Sequence, residues 1–168
     1  MTNWHHSSAS CAIDDGSSVV LTGGALNPVS VQRYDKDGFV ETLPELNEAR
    51  FHHGCSSYLR DDKKVYIVTG GRPSAQEDFI SSTEVLTEGN TEWRLTGNLP
   101  AGLFVGRMAT LDNRVFFLGR FYIFACHYNI FMCYYRRIQE NCWQLYSPRH
   151  NSWVHGRRVD ASGDSAAG

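Results

Sequence analysis

The chain has 168 residues, with 16 Lys and Arg against 18 Asp and Glu, a net charge of −2, and 42% hydrophobic residues. The near-neutral balance removes the electrostatic grounds for expecting nucleic acid or an acidic membrane as partner. The apolar content marks a folded rather than a disordered chain.

Fifteen glycines, several paired or beside polar turn formers, punctuate short apolar runs, and no dozen-residue amphipathic helical stripe stands out. That pattern predicts many short strands and tight turns, an all-β class. The N-terminus, Met1 to His6 followed by serines, has neither the basic start nor the apolar run of a secretory signal. The cysteines (Cys11, Cys55, Cys126, Cys133, Cys142) form no CxxC pair and match no zinc framework. They read as reduced, buried thiols of an intracellular protein, which favours the cytoplasm.

In chain order, a semi-polar strand is expected over 7–13, then a turn at Asp14-Asp15. An apolar strand follows at Val19-Val20-Leu21 and ends on Thr22-Gly23-Gly24. The outer half of this copy carries Tyr34 and Phe39 on either side of the turn Asp35-Lys36-Asp37-Gly38, and closes on Leu43-Pro44. The whole pattern then recurs. Residues 4–24 laid over 51–71 match without gaps at a period of 47, with eight of 21 positions identical. Trp4-His5-His6 falls on Phe51-His52-His53, Asp14-Asp15 on Asp61-Asp62, and Thr22-Gly23-Gly24 on Thr69-Gly70-Gly71.

In the second copy a strand over 54–60 leads to the buried strand Val65-Tyr66-Ile67-Val68, and the outer half carries Leu86 and Trp93 before Leu99-Pro100. A strand apolar at every position implies neighbours covering both its faces. The third copy has Met108 to Leu111 as first strand, Asp112-Asn113 as turn and Val115-Phe116-Phe117-Leu118 as buried strand. Gly119-Arg120 stands where the glycine pair belongs, and Tyr146 and Trp153 form its outer pair.

A glycine pair after an apolar strand, then Tyr and Trp about six residues apart, resembles the kelch repeat; a period near 47 suits such blades. The segment Ser81 to Gly89 followed by Trp93 is especially similar. The resemblance implies an incomplete kelch-type β-propeller of about three four-stranded blades, not closed within one chain. Residues 1–156 form the kelch-repeat region, with blade one at 4–44, blade two at 51–100 and blade three at 101–156. Residues 157–168 read as a disordered tail. Three blades are too few to close a ring, so the chain is expected to be a fragment, with open blade edges that invite self-association.

Residues 121–136 are anomalous: sixteen residues with seven aromatics, no glycine and no acid, inside blade three. The run is too short for a transmembrane helix. It is either an apolar loop or an unspliced, in-frame intron of 48 nucleotides, since its removal restores the ten-residue spacing of copy one.

Catalytic and metal sites are not expected. His5-His6 and His52-His53 are adjacent pairs whose side chains would point to opposite faces of a strand, so neither pair chelates. Asp14-Asp15 and Asp61-Asp62 read as turn formers, and no nucleophile, metalloprotease, P-loop or dinucleotide motif occurs. No cofactor is implied. The kelch resemblance implies a non-catalytic protein–protein interaction module whose binding face is built from the blade crossings and the loops after the glycine pairs. Those are residues 25–28, 45–51, 72–79 and 101–104. Arg50, Arg72, Gln76, Glu77 and Phe79 are the candidate contact residues, because Arg and aromatic side chains are enriched in binding hot spots. A galactose-oxidase-like propeller enzyme, or a truncated product without independent function, is the alternative.

Overall fold

The computed structural model describes residues 10–99, 104–120, 143–147 and 152–155. These residues form twelve strands in three antiparallel, four-stranded sheets, and no helix occurs among them. The first sheet contains β1 (Cys11–Asp14), β2 (Ser18–Thr22), β3 (Val31–Asp35) and β4 (Val40–Thr42). The second contains β5 (Gly54–Arg60), β6 (Lys63–Thr69), β7 (Thr83–Thr87) and β8 (Arg94–Thr96). The third contains β9 (Phe104–Leu111), β10 (Arg114–Arg120), β11 (Trp143–Ser147) and β12 (Ser152–His155). Each is a meander whose spatial order is its chain order, the topology that short polar turns produce.

The turns explain themselves chemically. Asp61 and Asp62 join β5 to β6 with φ of 50° and 59°, and Asp112 and Asn113 join β9 to β10 with 48° and 59°. Two consecutive left-handed residues match the twist of a hairpin, and Asp and Asn tolerate that conformation better than most side chains. The equivalent turn of the first sheet is longer: the backbone N–H of Asp15 bonds Ser18, and Gly16 supplies the positive φ.

The sheets pack face to face, and β6 shows why its sequence is apolar throughout. Tyr66 and Val68 point toward the first sheet, into a core with Ile13, Val20, Val31, Leu46, Cys55, Leu86 and Trp93. Val65 and Ile67, their strand neighbours, point the other way, into a core with Tyr58, Val85, Leu99, Val115, Phe117, Tyr146 and Trp153. Alternate residues of one strand thus fill two separate cores. The middle sheet thus contributes to both cores, and each outer sheet to one of them.

β5 lies beside both β1 and β9. Against β9 the contact is polar: Ser56 and Thr110 share a hydroxyl hydrogen bond of 2.7 Å, and Thr110 donates to the Ser57 carbonyl at 2.6 Å. Asn113 binds the backbone of Leu59 twice, accepting its N–H at 2.6 Å and donating to its carbonyl at 2.8 Å. Against β1 the contact is covalent.

The expectation of reduced thiols fails there. Cys11 and Cys55 form a disulfide across the first and second sheets, with Cα atoms 5.9 Å apart, inside the range a disulfide spans. The two residues stand on facing sides of adjacent strands, a juxtaposition that no spacing in the sequence reveals. The thiol argument for a cytoplasmic placement therefore falls away. Cys126, Cys133 and Cys142 lie outside the described residues, as do His5-His6, segment 121–136 and the tail 157–168. No helix among the described residues is long and apolar enough to cross a membrane.

Two further expectations change. Trp93 and Trp153 are buried, and each reaches the preceding sheet: the indole N–H of Trp93 donates to the Pro44 carbonyl at 2.8 Å, that of Trp153 to the Thr83 hydroxyl at 2.9 Å. Phe39 is 68% exposed. Register supplies the reason: Val40, not Phe39, pairs with Tyr34 as Trp153 pairs with Tyr146, and no sheet precedes the first among the described residues. Gly119 and Arg120 do not act as a glycine pair either. They continue β10, whose pairing with β9 shifts register between Leu118 and Arg120, whereas Gly70 and Gly71 follow the end of β6 with φ of 67° and 85°.

Candidate functional site: the loops beside the glycine pairs

The crossing from the first sheet to the second is fixed by one buried ion pair. Arg50 and Glu84 are both wholly buried, with Nη2 2.6 Å from Oε1. Arg50 also donates to the carbonyls of Gly70 at 2.9 Å and Ser82 at 3.2 Å, and to the Ser82 hydroxyl at 3.1 Å. Glu84 accepts from the backbone N–H groups of Asn47 at 2.7 Å and Glu48 at 3.1 Å, and from the Asn47 amide at 2.9 Å. Buried charges persist when paired and fully hydrogen-bonded, and here the bonds tie the crossing to the ends of β6 and β7.

Arg50 is consequently not a surface contact residue. Its two terminal nitrogens donate to carbonyls, the Ser82 hydroxyl and the Glu84 carboxylate inside the molecule, which corrects its place among the candidates. Glu84 and Asn47 were missed by sequence reasoning. The available signal was a lone charge in the otherwise uncharged strand Thr83–Thr87, since an acid in a buried position demands a cation.

The same crossing gathers a second loop. The N–H of Arg50 donates to Pro28 at 2.8 Å, that of Gly24 to Arg50 at 3.1 Å, and that of Leu46 to Val29 at 2.9 Å. Gly23 makes this approach possible: its φ is +57°, and a Cβ there would run into the Arg50 carbonyl oxygen and the His53 ring. His53 is buried against it, sharing a 2.8 Å hydrogen bond between Nε2 and the Thr22 hydroxyl. Burial, reinforced by the nearby charges of Arg50 and His52, lowers the His53 pKa to about 3, so the ring is neutral. His52 sits at φ 54°, outside any strand, and its pKa is lowered by burial and by Arg72.

The loop after the second glycine pair is stapled at its base and open at its tip. Phe51 and Arg72 exchange backbone hydrogen bonds at 3.0 and 3.2 Å, and the Ile80 N–H donates to Gly71 at 2.9 Å. The Arg72 guanidinium lies 5.1 Å from the Phe51 ring centre and 6.0 Å from that of Phe79, within cation–π range of both. It also donates to the Ala75 carbonyl at 3.2 Å. Beyond that stack Ala75, Gln76, Glu77 and Asp78 are exposed. The structure thus brings together the loops at 25–28, 45–51 and 72–80; residues 101–103 of the fourth loop lie outside the described residues.

A second polar cluster lies between the first two sheets. Asp15 pairs with Lys64, accepts from the Tyr66 hydroxyl at 3.0 Å and lies 3.5 Å from Arg33 Nε. Arg33 in turn donates to Tyr66 at 2.7 Å and Glu41 at 2.9 Å. Burial alone would raise the Asp15 carboxyl, but hydrogen bonds from Lys64, Ser18 and Tyr66 outweigh it and hold the pKa below the usual value. Burial is also the main reason the Tyr66 phenol is pushed up to about 12. Neither group is poised near neutrality for proton transfer, and the cluster acts as an ionic clasp between sheets. An open groove of about 620 Å³ adjoins it, lined in part by Arg33, Tyr66, Glu88 and Asn90; the Arg33 charge within it is already met by protein groups.

Among the described residues, no three His, Cys, Asp or Glu side chains gather closely enough to hold a metal ion. No protein-family model matches the chain, and no curated protein matches its sequence.

Proposed function

We propose that the chain is a kelch-like propeller segment serving as a non-catalytic protein-interaction module, with loop 72–80 as the centre of its binding surface. The observation that carries this reading is the contrast within that loop. Its base is held by backbone bonds and the Phe51–Arg72–Phe79 stack, while its tip offers Gln76 and Glu77 to solvent. A rigid base lowers the ordering entropy of binding, and a mixed aromatic, cationic and acidic surface suits a protein partner better than an apolar small molecule. Three similar four-stranded sheets packed face to face support the propeller part of the reading.

The test is capture by photo-crosslinking from a residue analogue placed at position 76, compared with the same capture from Phe79→Ala and the double variant Gln76→Ala/Glu77→Lys. One or more proteins captured in the native chain and lost in both variants, with unchanged thermal unfolding, is the expected result. Capture that is indifferent to both variants would place the binding surface elsewhere.

A further inference from the structure

Two polar side-chain atoms at the crossing are buried and have no hydrogen-bond partner among the described residues. One is Nε of Arg50, a guanidinium whose hydrogen bonds are all made by Nη1 and Nη2. The other is Nδ1 of His53. Arg50 is 0% exposed and His53 5%, so bulk solvent reaches neither. A buried nitrogen left alone is destabilising, and in native interiors such groups are met by protein or by ordered water.

The two atoms are opposite in hydrogen-bonding character. A guanidinium keeps its proton at Nε, so that atom only donates. His53 is set by Thr22, whose hydroxyl donates to the Cys11 carbonyl at 3.4 Å and lies 2.8 Å from Nε2. With its one hydrogen committed to the carbonyl, the hydroxyl accepts from Nε2–H. The neutral ring therefore carries a bare lone pair at Nδ1, an acceptor. Both side chains also lie against the glycine pairs. Arg50 Nη1 donates to the Gly70 carbonyl at 2.9 Å. A Cβ on Gly71 would stand 2.9 Å from His53 Cβ, and one on Gly23 would stand 2.8 Å from Cε1, the ring carbon bonded to Nδ1. The ring thus sits in a cradle that side chains at Gly23 and Gly71 would fill, close enough to Arg50 to feel its charge.

We infer that one buried water molecule bridges these atoms, accepting from Arg50 Nε–H and donating to His53 Nδ1. Water is the smallest ligand that donates and accepts at once, and interior water is held where fixed polar groups of both kinds converge. An anion would satisfy Nε–H but bring no hydrogen to Nδ1, and a metal cation would meet the Arg50 charge. The bridge joins two side-chain networks. One is the Arg50–Glu84 pair that fixes the crossing; the other is the His53–Thr22–Cys11 chain at the paired ends of β1 and β2. The water is thereby a structural part that ties the buried charge of the second sheet to the strands of the first.

The test uses the native full chain, so that no variant's folding is at stake. A crystal structure at atomic resolution is expected to show one water within about 3.2 Å of both Arg50 Nε and His53 Nδ1. In the 15N-labelled protein, long-range nitrogen–proton spectra at neutral pH are expected to show His53 protonated at Nε2 alone. Arg50 Hε is expected to give a cross-peak to a water held for longer than nanoseconds, with NOE and ROE of opposite sign. A direct bond from Arg50 Nε to His53 or to a carbonyl overturns the inference. So does a His53 ring protonated at Nδ1, a pair of waters each bound to only one of the two atoms, or an Hε–water peak with the sign of proton exchange alone.

Discussion

At the scale of single residues, the buried polar groups dominate what can go wrong. Removing one member of a buried pair strands the other without solvent, so Arg50→Ala is expected to cost about 3–5 kcal/mol in a urea unfolding experiment. A cost near zero would mean that Arg50 is solvated and that the crossing is held by other bonds. His53 gives the chain a pH dependence with a definite sign. Its folded pKa, about 3, lies below the ordinary 6.5, so the unfolded chain takes up a proton first as pH falls. Stability is full above about 6.5 and declines toward pH 3 by roughly 1.4 kcal/mol per unit within that window. His53→Gln is expected to flatten this decline in thermal melts taken between pH 7 and 4. Asp15, whose pKa is lowered, adds a separate loss only as pH falls through and below its ordinary 3.8, and Asp15→Asn tests that arm.

At the scale of strands and turns, much was legible. The 47-residue repeat located the hairpins, because Asp and Asn at left-handed turn positions and apolar runs ended by glycine have local causes. What depended on the neighbouring sheet was not legible. Asp15 read as a turn former, yet it reaches across to Lys64 and Tyr66. Phe39 read as an anchor equivalent to Trp93, yet the cross-strand register moves it off the position that buries. Arg50 read as a loop-surface residue for the same reason: a crossing looks exposed in sequence until the carboxylate beneath it is known. The disulfide is the element-scale feature with the largest expected effect. It closes a loop of 44 residues in separation, for which chain-entropy arguments give roughly 3–4 kcal/mol. Cys11→Ser/Cys55→Ser is expected to lower the urea midpoint accordingly without changing the secondary-structure spectrum.

At the scale of the whole molecule, the middle sheet is the keystone, since its β6 side chains fill both cores. Weakening it should therefore loosen both junctions at once. Ile67→Ala removes a fully buried side chain from the core shared with the third sheet, for which about 2–5 kcal/mol is the expected loss. The candidate binding loops lie at one end of this stack because the glycine pairs and the crossings are placed there by the packing of one sheet on the next. Their convergence is thus a consequence of the stacking rather than of any local motif. The measurement that tests the stacking most directly is disulfide mapping of the unreduced, mildly oxidised protein by mass spectrometry. A linked peptide pair joining Cys11 to Cys55 is expected; free alkylation of both residues, or linkage of Cys55 to a different cysteine, would contradict the stacking.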